Sequence, residues 1–314
     1  RRSAYAPFIA LLRSGMRHMG ALRLDHVMGL LRLYWVPPGG SARDGAYVHY
    51  PLDDLLALLA LESERHRCVV IGEDLGTVPD EVRQALAEVG VLSYRLLYFE
   101  RLDAGDFRPP DDYPTQALVA AATHDLPTLA GYWEGVDLAL RAELGLFPTD
   151  EIRQQQILAR ADARARLLLM LERHGLLPAG ATADPQSLPQ MTPSLARALH
   201  VLLARTPSKL LLVQLEDVLC MREQVNLPGT VDEHPNWRRK LDLTLERWPQ
   251  DERFVDLCAA LRSERPTQAV AQVTAGADPV CVIPRATYRL QLNRDFTFVQ
   301  ACALVPALAR LGIS

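Results

Sequence analysis

Three strand-length apolar runs in this chain each end in an acidic residue. Ala21–Leu22–Arg23–Leu24 is closed by Asp25 and His26. Cys68–Val69–Val70–Ile71–Gly72 is closed by Glu73 and Asp74, and the run from Ala117 to Ala122 by Thr123, His124 and Asp125. Runs of this kind suit strands with both faces covered, the situation of a parallel sheet flanked by helices. Helical patterns do lie around them, over Tyr5–Met19, Leu52–Arg65, Pro79–Val89, Asp150–His174 and Ser194–Leu203. Further strands are expected at Ser93–Phe99 and Lys209–Leu215, and helices at Arg238–Trp248 and Asp251–Leu261. Alternation of this sort builds a parallel sheet from βα units.

In β/α barrels the reacting groups sit at the carboxyl ends of several different strands. One acid there is usually a helix cap, and Asp74 and Asp217 fit that description. Three acids, two of them beside a histidine, argue for convergence on one site. Arg23 and Asp25 are two residues apart and so share a side of the pleat. An arginine there favours the charged carboxylate, whether in a nucleophile or in a buried structural ion pair. Five such strands are legible, whereas a closed (β/α)8 TIM barrel needs eight. The fold class is therefore α/β, an incomplete barrel holding about strands 4–8. The chain also begins without Met and inside a helical pattern, as a fragment would.

Composition narrows the function classes. A net charge of −4 leaves no electrostatic footprint for nucleic acid or an anionic membrane. Cys68, Cys220, Cys258, Cys281 and Cys302 are scattered without paired spacing, as in a reduced, cytoplasmic protein. Neither a metal-ligand spacing nor a phosphate loop is present, and no run is long enough to span a bilayer.

Arg23-Leu24-Asp25-His26, Ile71-Gly72-Glu73-Asp74-Leu75-Gly76 and Thr123-His124-Asp125 together resemble the 4-α-glucanotransferase (amylomaltase, disproportionating enzyme) family. Gln224-Val225-Asn226-Leu227-Pro228-Gly229-Thr230 and Asn236-Trp237-Arg238-Arg239-Lys240-Leu241 extend the resemblance, which covers roughly residues 1–262, the C-terminal part of such an enzyme. The resemblance implies that Asp25 is the nucleophile, Glu73 the general acid/base and Asp125 the transition-state stabiliser. Arg23, His26 and His124 would face the substrate, a maltodextrin or another α-glucan. Retaining transfer needs one charged and one protonated carboxyl, about 5 to 5.5 Å apart. It requires no metal or organic cofactor.

Trp35, with Tyr34 in a Gly/Pro-rich segment (Leu30–Tyr50) expected to be irregular, could stack on glucose rings or simply pack its loop. Asn226 and Asn236 could bind glucan hydroxyls or serve turns. Trp133 fits a helix core.

The C-terminal stretch differs. Residues 1–264 form the barrel part, 265–282 have the composition of a linker, and 283–314 open a second unit. Pro284–Leu292 suits a strand and Phe298–Leu311 an amphipathic helix, which resembles the first βα unit of maltooligosyl trehalose synthase. The expected parent is a fusion of two α-glucan enzymes. Alone, the chain is expected to be inactive and to self-associate through open barrel edges.

Overall fold

The computed structural model describes residues 4–266 and 296–310. In chain order the main elements are α1 (Ala6–Met16), β1 (Ala21–Leu24), β2 (Arg32–Trp35), β3 (Ala46–His49), α2 (Leu52–His66), β4 (Val69–Gly72), α3 (Asp80–Glu88) and β5 (Leu92–Leu96). They are followed by β6 (Ala117–Ala120), α4 (Leu129–Glu134), α5 (Val136–Glu143), α6 (Asp150–Arg173), α7 (Pro193–Ala204), β7 (Leu210–Leu212), α8 (Leu215–Val218), α9 (Glu252–Glu264) and α10 (Phe298–Arg310). The five expected strands form one sheet in the order β1-β4-β5-β6-β7. β1 pairs parallel with β4 from Ala21–Val69 to Leu24–Gly72, and β4 with β5 at Ile71–Leu92 and Gly72–Ser93. The α/β parallel reading therefore holds.

Contacts divide the chain into two units. Among the described residues, one comprises 4–94, 116–118 and 296–310, the other 95–115 and 119–266. In the first, Leu12, Met16, Val27, Leu56, Leu59, Cys68, Val70 and Val82 make the core. α2 shows how sequence becomes packing here. Asp53 and Asp54 start it, Arg65 and His66 end it, and each pair suits the helix dipole at its end. Its buried stripe is Leu55, Leu56, Leu59 and Glu62. Glu62 is tolerated there because Arg13 of α1 grips both carboxylate oxygens at 2.8 and 2.9 Å, with Arg65 adding a contact at 2.9 Å. The Arg13 hydrogen bonds hold its carboxyl well below the usual range, at about 2.

In the second unit Leu97, Phe107, Val119, Trp133, Leu167, Leu168, Leu171, Leu195 and Leu199 form the core. Thr149 and Thr192 cap α6 and α7, accepting from the N–H groups of Ile152 and Leu195. Trp133 is buried in the core, as its position in the pattern suggested, and its Nε1 donates to the Leu188 carbonyl at 2.8 Å.

Several sequence expectations need correction. Leu30–Tyr50 contains an antiparallel hairpin, β2 with β3, paired from Arg32–His49 to Trp35–Ala46. The Pro37-Pro38-Gly39-Gly40 turn, with Gly39 at φ +78°, hid two short aromatic strands behind loop composition. β1 is half-exposed rather than buried on both faces, because it ends the sheet's strand order. The strand expected over Lys209–Leu215 spans only three residues, since Leu215 already begins α8. The helix expected at Arg238–Trp248 is absent: this segment is irregular until a 3-10 turn at Leu245–Gln250 that contains Pro249. Phe298–Arg310 is helical as expected, whereas the Pro284–Leu292 strand lies outside the described residues.

Candidate active site

Asp25 and Glu73 lie on neighbouring strand ends of the first unit. The Glu73 main chain brackets the Asp25–His26 turn. Its N–H donates to the Leu24 carbonyl at 2.9 Å, and its carbonyl accepts from Val27 N at 3.0 Å. The parallel β1–β4 register thus carries on past both strands and brings the two acid-bearing positions side by side. The Glu73 carboxylate accepts the His26 N–H at 2.9 Å on Oε2 and the Leu75 N–H at 2.9 Å on Oε1. Two backbone donors therefore fix its direction, and the apolar run behind it does not enclose it.

His26 turns the chain with φ 45° and ψ 61°, a left-handed conformation uncommon outside glycine. That turn lets its N–H reach Glu73 while Asp25 stays open, with its side chain 74% exposed. Arg23 Nη1 meets Asp25 Oδ1 at 2.7 Å, the same-side pairing read from the pleat, and its guanidinium lies 5.5 Å from the Tyr94 ring centroid.

Asp74 is no helix cap. Its buried carboxylate accepts from Ser93 Oγ at 2.6 Å and Tyr94 N at 2.8 Å, with Arg83 Nε at 3.6 Å. The residue after Glu73 is thereby locked to β5. Trp35, on β2, is 58% exposed and donates from Nε1 to the Tyr50 hydroxyl at 2.9 Å. Tyr34 and Tyr47 meet edge-on at 5.1 Å on the same hairpin.

Asp125 belongs to the second unit, where the segment after β7 surrounds it. Asn226 Nδ2 donates to Asp125 Oδ1 at 2.6 Å, and His124 Nε2 stands 3.3 Å from Oδ2. Gln224 Nε2 donates to the Asp125 carbonyl at 2.9 Å and to the Asn226 carbonyl at 2.6 Å. His234 Nε2 in turn donates to the Gln224 carbonyl at 2.9 Å. Asn236 is occupied within its own loop: its Oδ1 accepts Leu227 N at 2.8 Å and its Nδ2 donates to Thr230 Oγ1 at 2.9 Å. Trp237, at φ 61°, places its ring 5.0 Å from that of His124.

Sequence reasoning singled out Asn226 and Asn236 but missed Gln224, His234 and Trp237. The signal for Gln224 and Trp237 was their place in the two short motifs, with His234 between them, yet only a folded loop reveals which side chain meets Asp125. Among the described residues no cluster of His, Cys, Asp or Glu is arranged to hold a metal ion. Nor is any helix among them long and apolar enough to cross a membrane.

The model of the 4-alpha-glucanotransferase family, glycoside hydrolase family 77, matches residues 1–244. The 4-alpha-glucanotransferase of Haemophilus influenzae is 46% identical over 237 residues, covering 76% of this chain and 34% of its own. That of Mycobacterium bovis is 40% identical over 269 residues, covering 82% and 36%. The crystal structure of amylomaltase from Corynebacterium glutamicum superposes with a TM-score of 0.74 at 34% identity, covering 82% of this chain and 38% of that one. This chain therefore spans about a third of the length of the relatives it matches.

Proposed function

The chain belongs to the 4-alpha-glucanotransferase family, and on that premise we propose that it carries the reacting groups for retaining transfer of α-1,4-glucan segments between maltodextrins. The observation that carries this reading is the Glu73 bracket, which sets an acid beside the exposed, arginine-paired Asp25. Asp25 attacks the anomeric carbon as the bond to the leaving glucan oxygen breaks, and Glu73 gives that oxygen its proton. In the second step the 4-hydroxyl of another glucan, or of glucose, attacks the same carbon. Glu73 takes the hydroxyl's proton, and the Asp25 ester bond breaks. Two inversions retain the configuration.

Asp125 accepts hydrogen bonds from sugar hydroxyls that strengthen in the oxocarbenium-like transition state, with His124 beside it. Arg23 aims Asp25 through their 2.7 Å ion pair. His26 and Trp35 contact the substrate, Trp35 by stacking. Asn226 faces both Asp125 and the sugar, and Asn236 acts through its loop. Carboxyl groups alone supply the acid, base and nucleophile, so the reaction needs no cofactor. The scattered cysteines support a cytoplasmic setting. Residues 1–264 serve this reaction, and 283–314 open a maltooligosyl trehalose synthase-like domain; the motif at Pro284–Leu292 and the helix α10 support that assignment.

Incubation with maltotriose tests the reading. The intact enzyme is expected to give glucose together with maltodextrins longer than the substrate. Glucose and maltose alone would make it a hydrolase that passes the intermediate to water.

A second expectation concerns the 314-residue chain by itself. Its end strands β1 and β7 are half-exposed, and unpaired strand edges associate. Size-exclusion chromatography is expected to show self-association and the maltotriose assay no glucose. An active monomer would contradict both.

A further inference from the structure

We propose that Asp217, on α8, is a positioning residue for Asp125: it anchors the start of α4 and so sets where the strand-end carboxylate stands. This rests on the role given to Asp125 above. Asp217 is fully buried, at 0% exposure. Its Oδ1 accepts the N–H of Leu129, the first residue of α4, at 2.7 Å, while its Oδ2 is enclosed with no hydrogen-bond partner. A buried carboxyl with one idle oxygen is a costly structural choice, because such a group loses water without full repayment.

The anchor sits at one end of a continuous seam. The Thr128 hydroxyl donates to the Met221 carbonyl at 2.6 Å and accepts from Gly131 N at 3.0 Å. Gly131 packs directly on the Arg222 carbonyl. At the far end Gln224 and Asn226 hold the Asp125 carbonyl and carboxylate. Residues 125–131 and 217–226 therefore lie bonded along their length, and Asp217 is the fully buried carboxyl in that seam.

Among the described residues no cation pairs with it: Arg253 of α9, which donates to the Leu219 carbonyl at 3.2 Å, is held by Asp251 at 2.7 Å. Tyr98 lies against it, with its hydroxyl directed at the Pro127 carbonyl, and Glu216 and Cys220 flank it on its own segment. Tyr132 of α4 stacks on Tyr98 at 4.0 Å. Arg160 of α6, the cation of that cluster, is taken by Asp137 at 2.7 and 2.8 Å. Burial consequently pushes the Asp217 carboxyl up to about 7, against the Leu129 hydrogen bond. Below that pH the neutral group seats the anchor; above it the buried charge strains the seam.

The sign for stability follows from proton counts. The folded state keeps a proton that the unfolded chain has already released, so Asp217's contribution falls as pH rises from about 4 to about 7 and is level beyond.

Asp217→Asn keeps an acceptor for Leu129 and stays neutral at every pH. In the intact protein, wild-type kcat is expected to fall more steeply above pH 7 than the kcat of Asp217→Asn. Asp217→Ala is expected to lose about tenfold in kcat at every pH, with KM within about twofold. An alkaline limb of the same midpoint and steepness in Asp217→Asn as in wild type overturns the proposal, as does wild-type kcat in a folded Asp217→Ala.

Thermal unfolding reads the same group without activity. The melting temperature of Asp217→Asn is expected to gain several degrees on wild type between pH 4 and pH 7 and to run parallel above. A constant gap across that range would refute the titration. This arm also separates the two readings, since it keeps its outcome even if maltotriose is not disproportionated.

Discussion

Asp25→Asn is expected to abolish glucan transfer, by about four orders of magnitude or more, while leaving the melting curve where it was. An amide of the same shape cannot form the glycosyl ester, and loss of a nucleophile removes the two-step route as a whole. Stability is spared because Asp25 is largely exposed and its ion pair with Arg23 lies at the surface, where such pairs contribute little. Glu73→Gln should separate the two halves of the reaction. Maltodextrins, whose leaving oxygen needs a proton, would not turn over, whereas a glycosyl fluoride would still react with Asp25. Steady-state disproportionation by Asp25→Asn at near wild-type rates would end the assignment.

Gly131→Ala should cause the largest structural loss for the smallest change. A methyl group there would meet the Arg222 carbonyl oxygen well inside contact distance, and backbone oxygen cannot step aside as a side chain can. Overpacking of this sort costs about 3 kcal/mol, a drop of roughly 5 to 10 °C in a domain of this size. The strain falls on the seam that holds Asp125, so transfer activity should decline even below the new melting temperature. Unchanged stability in Gly131→Ala would mean that α4 and the 217–226 segment do not meet as closely as described.

The parts of this molecule that were legible in the sequence are those with a strong local period. β4 and β6 appear as apolar runs because their inward residues are buried, and α6 appears because it is rich in the helix formers Arg, Ala and Leu. The Arg23–Asp25 pair was readable because the pleat alone determines it. What failed was composition standing in for geometry. The β2–β3 hairpin carries its Tyr and Trp on two short strands, and the glycines and prolines of its turn dominated the segment. Arg238–Trp248 has apolar residues at helical spacing, yet Leu241, Leu243 and Leu245 instead pack on the cluster around Trp248 and Leu257. From their place after a strand, Asp74 and Asp217 suit no more than helix caps. One proves to clamp β5 and the other to anchor α4. Those partners are about 20 and 88 residues away, a distance at which no periodicity speaks.

The account stands or falls on Asp25 as the covalent residue, and trapping tests it most directly. Glu73→Gln enzyme, given an α-maltosyl fluoride and then digested, should yield a peptide carrying one maltosyl unit, with fragmentation placing the mass on Asp25. A maltosyl unit on Asp125 or on any other residue would contradict the account. So would wild-type enzyme that disproportionates maltotriose while the Glu73→Gln variant consumes the fluoride without any covalent adduct.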